Sequence, residues 1–385
     1  MKEHFLLDPD IIFLNHGSFG ATPRPVLAAC QDWQERLERQ PVRFFVDELL
    51  AELKHARQVL GNYLNADLDD LVYVPNATYG VNIIARSLPL SAGDEILTTD
   101  HEYGACLNAW EFALKKSAAV LVRQPIPLPL GSPAEIADQF WQGVTPRTKL
   151  VFLSHISSPT AVRLPVKIIC RKARQEGILT AIDGAHTPGQ VPLDLRAIDP
   201  DFYTGNCHKW MLGPKGSGFL YTRRELQPLV EPLVVSWGWG QDSPFCSGTK
   251  YLDYFEWAGT NDPSAYLSVP AAIRFQEEHD WPEVQERCRR ILAEGIEKLN
   301  NLTGQDPVYT PQAEPFAQMA VARLPAIRDL PGLQAGLLER FRIEVPCIEW
   351  NGRGFIRISV QGYNTREDLD ALVAALGELL PEYAA

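Results

Sequence analysis

The chain has no excess of positive charge: 36 lysines and arginines stand against 48 aspartates and glutamates among 385 residues, a net charge of −12, and the basic residues are scattered. A nucleic-acid binder needs a basic face to neutralise phosphates, so this balance argues against that class. No apolar run approaches the roughly 20 residues that span a bilayer. The N-terminus, MKEHFLLDPD, lacks the basic-then-apolar order of a secretory signal. The expectation is a cytosolic protein whose acidic surface keeps it in solution. The seven cysteines (Cys30, Cys106, Cys170, Cys207, Cys246, Cys288, Cys347) are odd in number and form no CxxC pair. That argues against a disulfide framework and a zinc ribbon, and leaves free thiols, most of them buried. The nucleotide signatures GxxxxGK[ST] and GxGxxG after a first strand are also missing.

What is present is an apolar content of 45%, enough for one large domain and a smaller one. From about residue 70 to 222, β-rich runs (LVYVP, GDEILTTD, TKLVFLSH, ILTAID, DFYTGN, GFLYT) alternate with helix-like segments. This is the pattern of a mostly parallel sheet with helices on its faces, an α/β fold. Ligands gather beyond the carboxyl ends of such strands. The uncommon residues stand there, each just after an apolar run: Asn76-Ala77-Thr78, His101-Glu102-Tyr103, Ser157-Ser158, Asp183-Gly184-Ala185-His186 and His208-Lys209. We expect an N-terminal segment 1–20 lying across the rest and packing with the small domain, a large domain 21–263, and a connector helix with a small C-terminal α/β domain over 264–385. The connector is expected to be helical from about 264 to 300. Strands are expected at 317–323 and FIRISV, and Thr365 with Asp368 forms a capping-box-like start to the last helix.

The stretch GNCHKWMLGPKGSG holds two lysines. Lys215 follows a proline in a glycine-rich turn and reads as structural. Lys209 sits beside Tyr203, Trp210, Met211 and Leu212, where desolvation would depress its pKa and leave a neutral amine, a nucleophile toward aldehydes. Asp183 ends an apolar run. One histidine three residues on is a weak metal spacing, and no metal is expected; a carboxylate there is what keeps a pyridine nitrogen protonated. Asn76-Ala77-Thr78 opens a helix, whose N–H groups can seat an anion. Amine, carboxylate and anion seat together describe pyridoxal 5′-phosphate.

With Gly259-Thr260 and Arg357-Ile358-Ser359, these residues in this order resemble the class V aminotransferase family of fold-type I pyridoxal-phosphate enzymes, over nearly the whole chain. Asn15-His16-Gly17-Ser18-Phe19-Gly20, Glu102-Tyr103, Ser236-Trp237-Gly238 and Glu349-Trp350-Asn351-Gly352 are most similar to its isopenicillin N epimerase-like group. The resemblance implies a mostly parallel seven-stranded sheet and a homodimer. It implies that Lys209 carries the cofactor and that Asp183 pairs with its ring nitrogen. His186, and more weakly Ser158, would lie near its phenolic oxygen, with Tyr103 stacked on its face. Ala77, Thr78, His208 and Asn206 would hold its phosphate, and Thr260 would reach the phosphate of the partner subunit. Arg357 would grip the substrate carboxylate, a bidentate task suited to a guanidinium; Asn15 and His16 are placed on the substrate side. Departures from the pattern are Ala161, where relatives commonly have glycine, and Asn206-Cys207.

Four reactions compete: epimerisation, transamination, elimination and desulfuration. A desulfurase needs a cysteine on a mobile loop; Cys347 sits in a short, proline-stiffened run and reads as structural. Epimerisation needs acid/base groups on both faces of a carbanion, Lys209 on one and Tyr103, His16 or water on the other. The leading expectation is an amino-acid epimerase, ahead of a class V aminotransferase or a C–S lyase. A non-catalytic binding protein would have no use for Lys209, Asp183 and Arg357 together.

Overall fold

The computed structural model describes residues 1–240 and 246–385. Twelve strands are defined among them: β1 (Ile12–Phe13), β2 (Leu71–Val74), β3 (Glu95–Thr99), β4 (Val120–Gln124), β5 (Thr148–Ser154), β6 (Leu179–Gly184), β7 (Phe202–Asn206), β8 (Gly218–Thr222), β9 (Met319–Arg323), β10 (Ile343–Glu344), β11 (Cys347–Trp350) and β12 (Arg353–Ser359). Seven of them form one sheet in the order β2-β8-β7-β6-β5-β3-β4. All its neighbours run parallel except β8, which is antiparallel to both β2 and β7.

Successive side chains of a strand point to opposite faces, and here both faces are covered. Val151, Leu153 and Ile182 join a core with Leu53 and Leu60 of the helix Leu49–Leu64. Leu150, Phe152 and Ala181 join another with Val81, Ile84 and Trp110 from the helices Ala77–Ser87 and Gly104–Leu114. Burial on both faces is what makes the strands read as continuous apolar runs.

A second, antiparallel sheet has the order β11-β12-β9. Ala320, Ala322, Ile356 and Ile358 bury it against Leu292 and Leu299 of the helix Trp281–Thr303, Leu333 and Leu337 of Leu330–Phe341, and Leu372 and Leu376 of Arg366–Tyr383. The N-terminal segment joins this unit: β1 pairs in parallel with β10, and Leu14 enters the same core. The segment expected as one helix over 264–300 is three, Ser264–Leu267, Val269–Glu278 and Trp281–Thr303. The last break falls at Asp280, whose φ is +45°, just before Pro282 in the first turn of the third helix. Among the described residues no helix is long and apolar enough to cross a membrane.

Candidate active site

The carboxyl ends of β2, β3, β5, β6 and β7 open on one cavity of about 450 Å³, lined among others by Ser18, Thr78, Tyr103, Ser158, Asp183, His186, Asn206, His208 and Lys209. Lys209 follows β7 in a tight turn: Leu212 N–H donates to Lys209 O and Gly213 N–H to Cys207 O. Its Nζ stands 3.2 Å from His186 Nε2. Burial, and then the Arg357 charge, bring the amine down to about 7, against the opposite pull of Asp183 and Cys106. A substantial fraction of the lysine is thus the neutral amine near neutral pH, the direction its apolar neighbours in sequence suggested.

Asp183 closes β6 with 3% of its surface exposed. Ala185 N–H donates to Oδ1 at 2.9 Å and the Cys106 thiol to Oδ2 at 3.3 Å. Burial pushes its carboxyl above the ordinary value, while the Ala185 N–H, the Cys106 thiol and the Lys209 charge oppose the shift. Burial also raises the Cys106 thiol, so it remains S–H. Glu102 lies close behind, taking Thr99 Oγ1 at 2.6 Å on one oxygen and the Ser154 N–H and hydroxyl at 2.8 and 2.6 Å on the other. Burial pushes Glu102 up to about 7 in spite of these donors. Asp183 makes no ion pair with a side chain among the described residues. A buried carboxylate with one N–H and one weak S–H on it has no cation in contact among the described residues, and a protonated ring nitrogen in the cavity is what would supply one.

At the start of the helix Ala77–Ser87, Asn76 is the N-cap and accepts from Tyr79 N–H at 2.9 Å. Ala77 N–H is already spent on Asn206 Oδ1 at 2.8 Å. Among the described residues, Thr78 N–H has no acceptor. An anion at this terminus therefore meets Thr78 directly, and Asn206 through its grip on Ala77. His208 donates Nδ1–H to Ser217 O at 3.0 Å, and burial lowers its imidazole to about 4.

Arg357 enters from β12 of the second sheet, 4% exposed. Its Nη1 donates to Ser158 O at 2.6 Å and to Ser158 Oγ at 3.1 Å, and its Nη2 to Ser18 Oγ at 2.9 Å. Its Nε–H is buried and has no partner among the described residues. Burial lowers the guanidinium to about 10, so it stays charged. Nε–H lies on the edge that the guanidinium shares with Nη2, the edge that can take a carboxylate in two parallel bonds.

Several expected residues have other work. Ser158 lines the cavity, and its carbonyl and hydroxyl oxygens accept from Arg357, so it also holds the guanidinium. Asn15 accepts from the Ser18 hydroxyl at 2.6 Å and thus acts on Arg357 through Ser18, a residue that sequence reasoning passed over although it stands in the quoted NHGSFG run. His16 is fully buried behind the lysine. Its Nδ1 meets Tyr363 OH at 2.9 Å and its Nε2 meets Lys209 O at 3.1 Å. Burial takes it down to about 3. It holds the main chain of the lysine and is not among the residues that line the cavity. Tyr103, at the N-cap of the helix Gly104–Leu114, is 47% exposed at the cavity rim. Thr260 is exposed and does not line the cavity of its own chain. Ala161 has φ +53°, in the left-handed region that favours glycine. Lys215 donates to Gly20 O at 3.0 Å and holds the N-terminal segment. Cys347 pairs with Ile356 in the second sheet, and burial raises it to about 12.

The class V aminotransferase family model matches residues 12–372. The isopenicillin N epimerase of Amycolatopsis lactamdurans is 37% identical, covering 98% of this chain and 97% of that one. A probable chloroplastic L-cysteine desulfhydrase of Arabidopsis thaliana is 31% identical over 97% of this chain and 84% of its own. The crystal structure of the cysteine desulfurase CsdA of Escherichia coli superposes with a TM-score of 0.81 at 22% identity, covering 100% of this chain and 98% of that one. The seven-stranded sheet, the second small sheet and these matches agree: the chain belongs to the class V aminotransferase family of fold-type I pyridoxal-phosphate enzymes.

Proposed function

We propose that this enzyme epimerises an L-α-amino acid at Cα, as the isopenicillin N epimerases are named for doing, with Lys209 holding pyridoxal phosphate. The observation that carries the reading is the buried Arg357 Nε–H, without a partner among the described residues, in a site whose lysine is brought down to about 7. In this reading Thr78, His208 and the Asn206-braced Ala77 seat the phosphate, Asp183 pairs with the ring nitrogen, and His186 lies near the phenolic oxygen. Bound there, pyridoxal phosphate supplies an electron sink that makes the Cα proton of an amino acid removable. Arg357 fixes the substrate carboxylate through its Nε–H edge and so orients the Cα–H bond toward one face. Lys209, free as an amine once the substrate amino group takes its place on the cofactor, would accept the proton on its side. The Tyr103 phenol at the rim returns one on the other, and Ser18 and Ser158 keep the guanidinium in place.

A C–S lyase is the second reading, favoured by the similarity to the Arabidopsis desulfhydrase; an aminotransferase follows from the family's name. Desulfuration has less support, because no cysteine is among the described residues lining the cavity and Cys347 is held in a paired strand. The experiment is incubation with a panel of L-amino acids in D₂O. Deuterium at Cα with loss of chirality supports epimerisation. Pyruvate with ammonia, or a keto acid with the aminated cofactor, replaces it by lyase or aminotransferase. We propose further that the enzyme is a homodimer in which Thr260 reaches the partner's phosphate seat, since it is exposed and away from its own. Light scattering showing a monomer would refute this.

A further inference from the structure

Trp210 follows the lysine, and its indole is fully buried. Its main chain is clasped on two sides. Gln276 Nε2 donates to Trp210 O at 3.3 Å, and Gly189, at φ +85°, lies so close that a Cβ there would collide with the same carbonyl. The His16 ring lies 4.9 Å from the indole, centroid to centroid. An indole held this way has little freedom to re-aim its N–H, and a buried N–H needs an acceptor. The acceptor it has is His186 Nδ1, at 3.4 Å.

A neutral imidazole carries one N–H and one lone pair. His186 is 2% exposed, and burial, with the Lys209 and Arg357 charges, holds it neutral. If Nδ1 accepts from Trp210, the proton is on Nε2, the atom 3.2 Å from Lys209 Nζ. The opposite tautomer would set two N–H groups against each other at Nδ1 and turn a lone pair toward the lysine. We infer that Trp210 is a positioning residue that holds His186 as an Nε2–H donor, aimed at Lys209 and at the group this lysine carries. For the phenolic oxygen of pyridoxal phosphate the distinction matters, since a donor stabilises the anionic oxygen and an acceptor repels it. That consequence rests on the proposed cofactor site; the tautomer itself does not.

The test is nitrogen NMR on protein labelled with ¹⁵N-histidine, with and without pyridoxal phosphate. Two-bond proton–nitrogen correlations report which ring nitrogen of each of the eight histidines is protonated. The His186 signals are those lost in His186→Gln. Expected is a single tautomer with Nε2 protonated in the wild type, and a shift toward an Nδ1–H population in Trp210→Phe. Because that change also leaves a void, benzothienylalanine at position 210, which keeps the shape and lacks the N–H, is the second variant; the same shift is expected there. Nδ1–H in the wild type, or an unchanged tautomer in both variants, overturns the inference. Failure of the cofactor reading shows separately, as a protein that stays colourless with pyridoxal phosphate.

Discussion

Gly20→Ala tests how the N-terminal segment is fitted to the lysine. Gly20 has φ 72° and ψ 165°, a region occupied almost only by glycine, where another residue costs about 1–3 kcal/mol. An added Cβ would also run into His208 O and come within 3.0 Å of Lys209 Cα, both main-chain atoms that have no rotamer to yield. Forcing such a contact costs roughly another 1–3 kcal/mol, for a total of about 2–6 kcal/mol. At about 2.1 cal/mol/K per residue, unfolding 385 residues carries roughly 0.8 kcal/mol/K, so the thermal midpoint should fall by about 3–7 °C. The strain falls on the backbone of His208 and Lys209, so the variant should also load less pyridoxal phosphate per chain. Scanning calorimetry and cofactor absorbance read both. A variant with the wild-type midpoint and full loading would refute the packing argument.

Arg357→Lys keeps the charge but loses the two-pronged edge; with one charged hydrogen bond to the carboxylate gone, at about 1.5–3 kcal/mol, kcat/KM should drop roughly 10- to 150-fold. An unchanged value would remove Arg357 from the substrate. Tyr103→Phe should abolish inversion at Cα while deuterium exchange into the L-substrate persists, since Lys209 still serves its own face; loss of exchange as well would contradict the division of labour. In cofactor-free protein, Lys209→Met isolates the cost of the buried amine. The unfolded chain holds the lysine proton up to about 10.5 and the folded chain only to about 7. The penalty is therefore complete below pH 7 and is relieved as pH rises to 10.5, and wild-type stability relative to the variant should climb by about 5 kcal/mol across that window. Parallel denaturation curves would show that the amine is not buried as described.

The central sheet was legible because its strands are buried on both faces, and the ligand edge because polar residues follow each apolar run. Strand β4 escaped notice: Val120 is exposed at the edge of the sheet, and prolines follow the strand closely. The break at Asp280 was hidden because charged residues continue the helical pattern across it. In the site, Lys209, Asp183 and Arg357 announced themselves as polar groups set among apolar ones. Contacts made across long sequence separations did not: Cys106 with Asp183, 77 positions apart, and Ser18 with Arg357, 339 apart, become visible only once the sheets are assembled. His16 shows the converse. Its motif pointed to the site, but its two ring nitrogens are engaged by Tyr363 and by the carbonyl of Lys209, so it supports the lysine from behind.

The central claim is that Lys209, and not Lys215, carries pyridoxal phosphate. The most direct measurement is the visible spectrum of the purified protein, followed by borohydride reduction and peptide mapping of the labelled lysine in the wild type, Lys209→Ala and Lys215→Ala. The account predicts a coloured wild type with the adduct on Lys209, no reducible adduct in Lys209→Ala, and retention of it in Lys215→Ala. A colourless wild type, or an adduct that survives in Lys209→Ala, would contradict it.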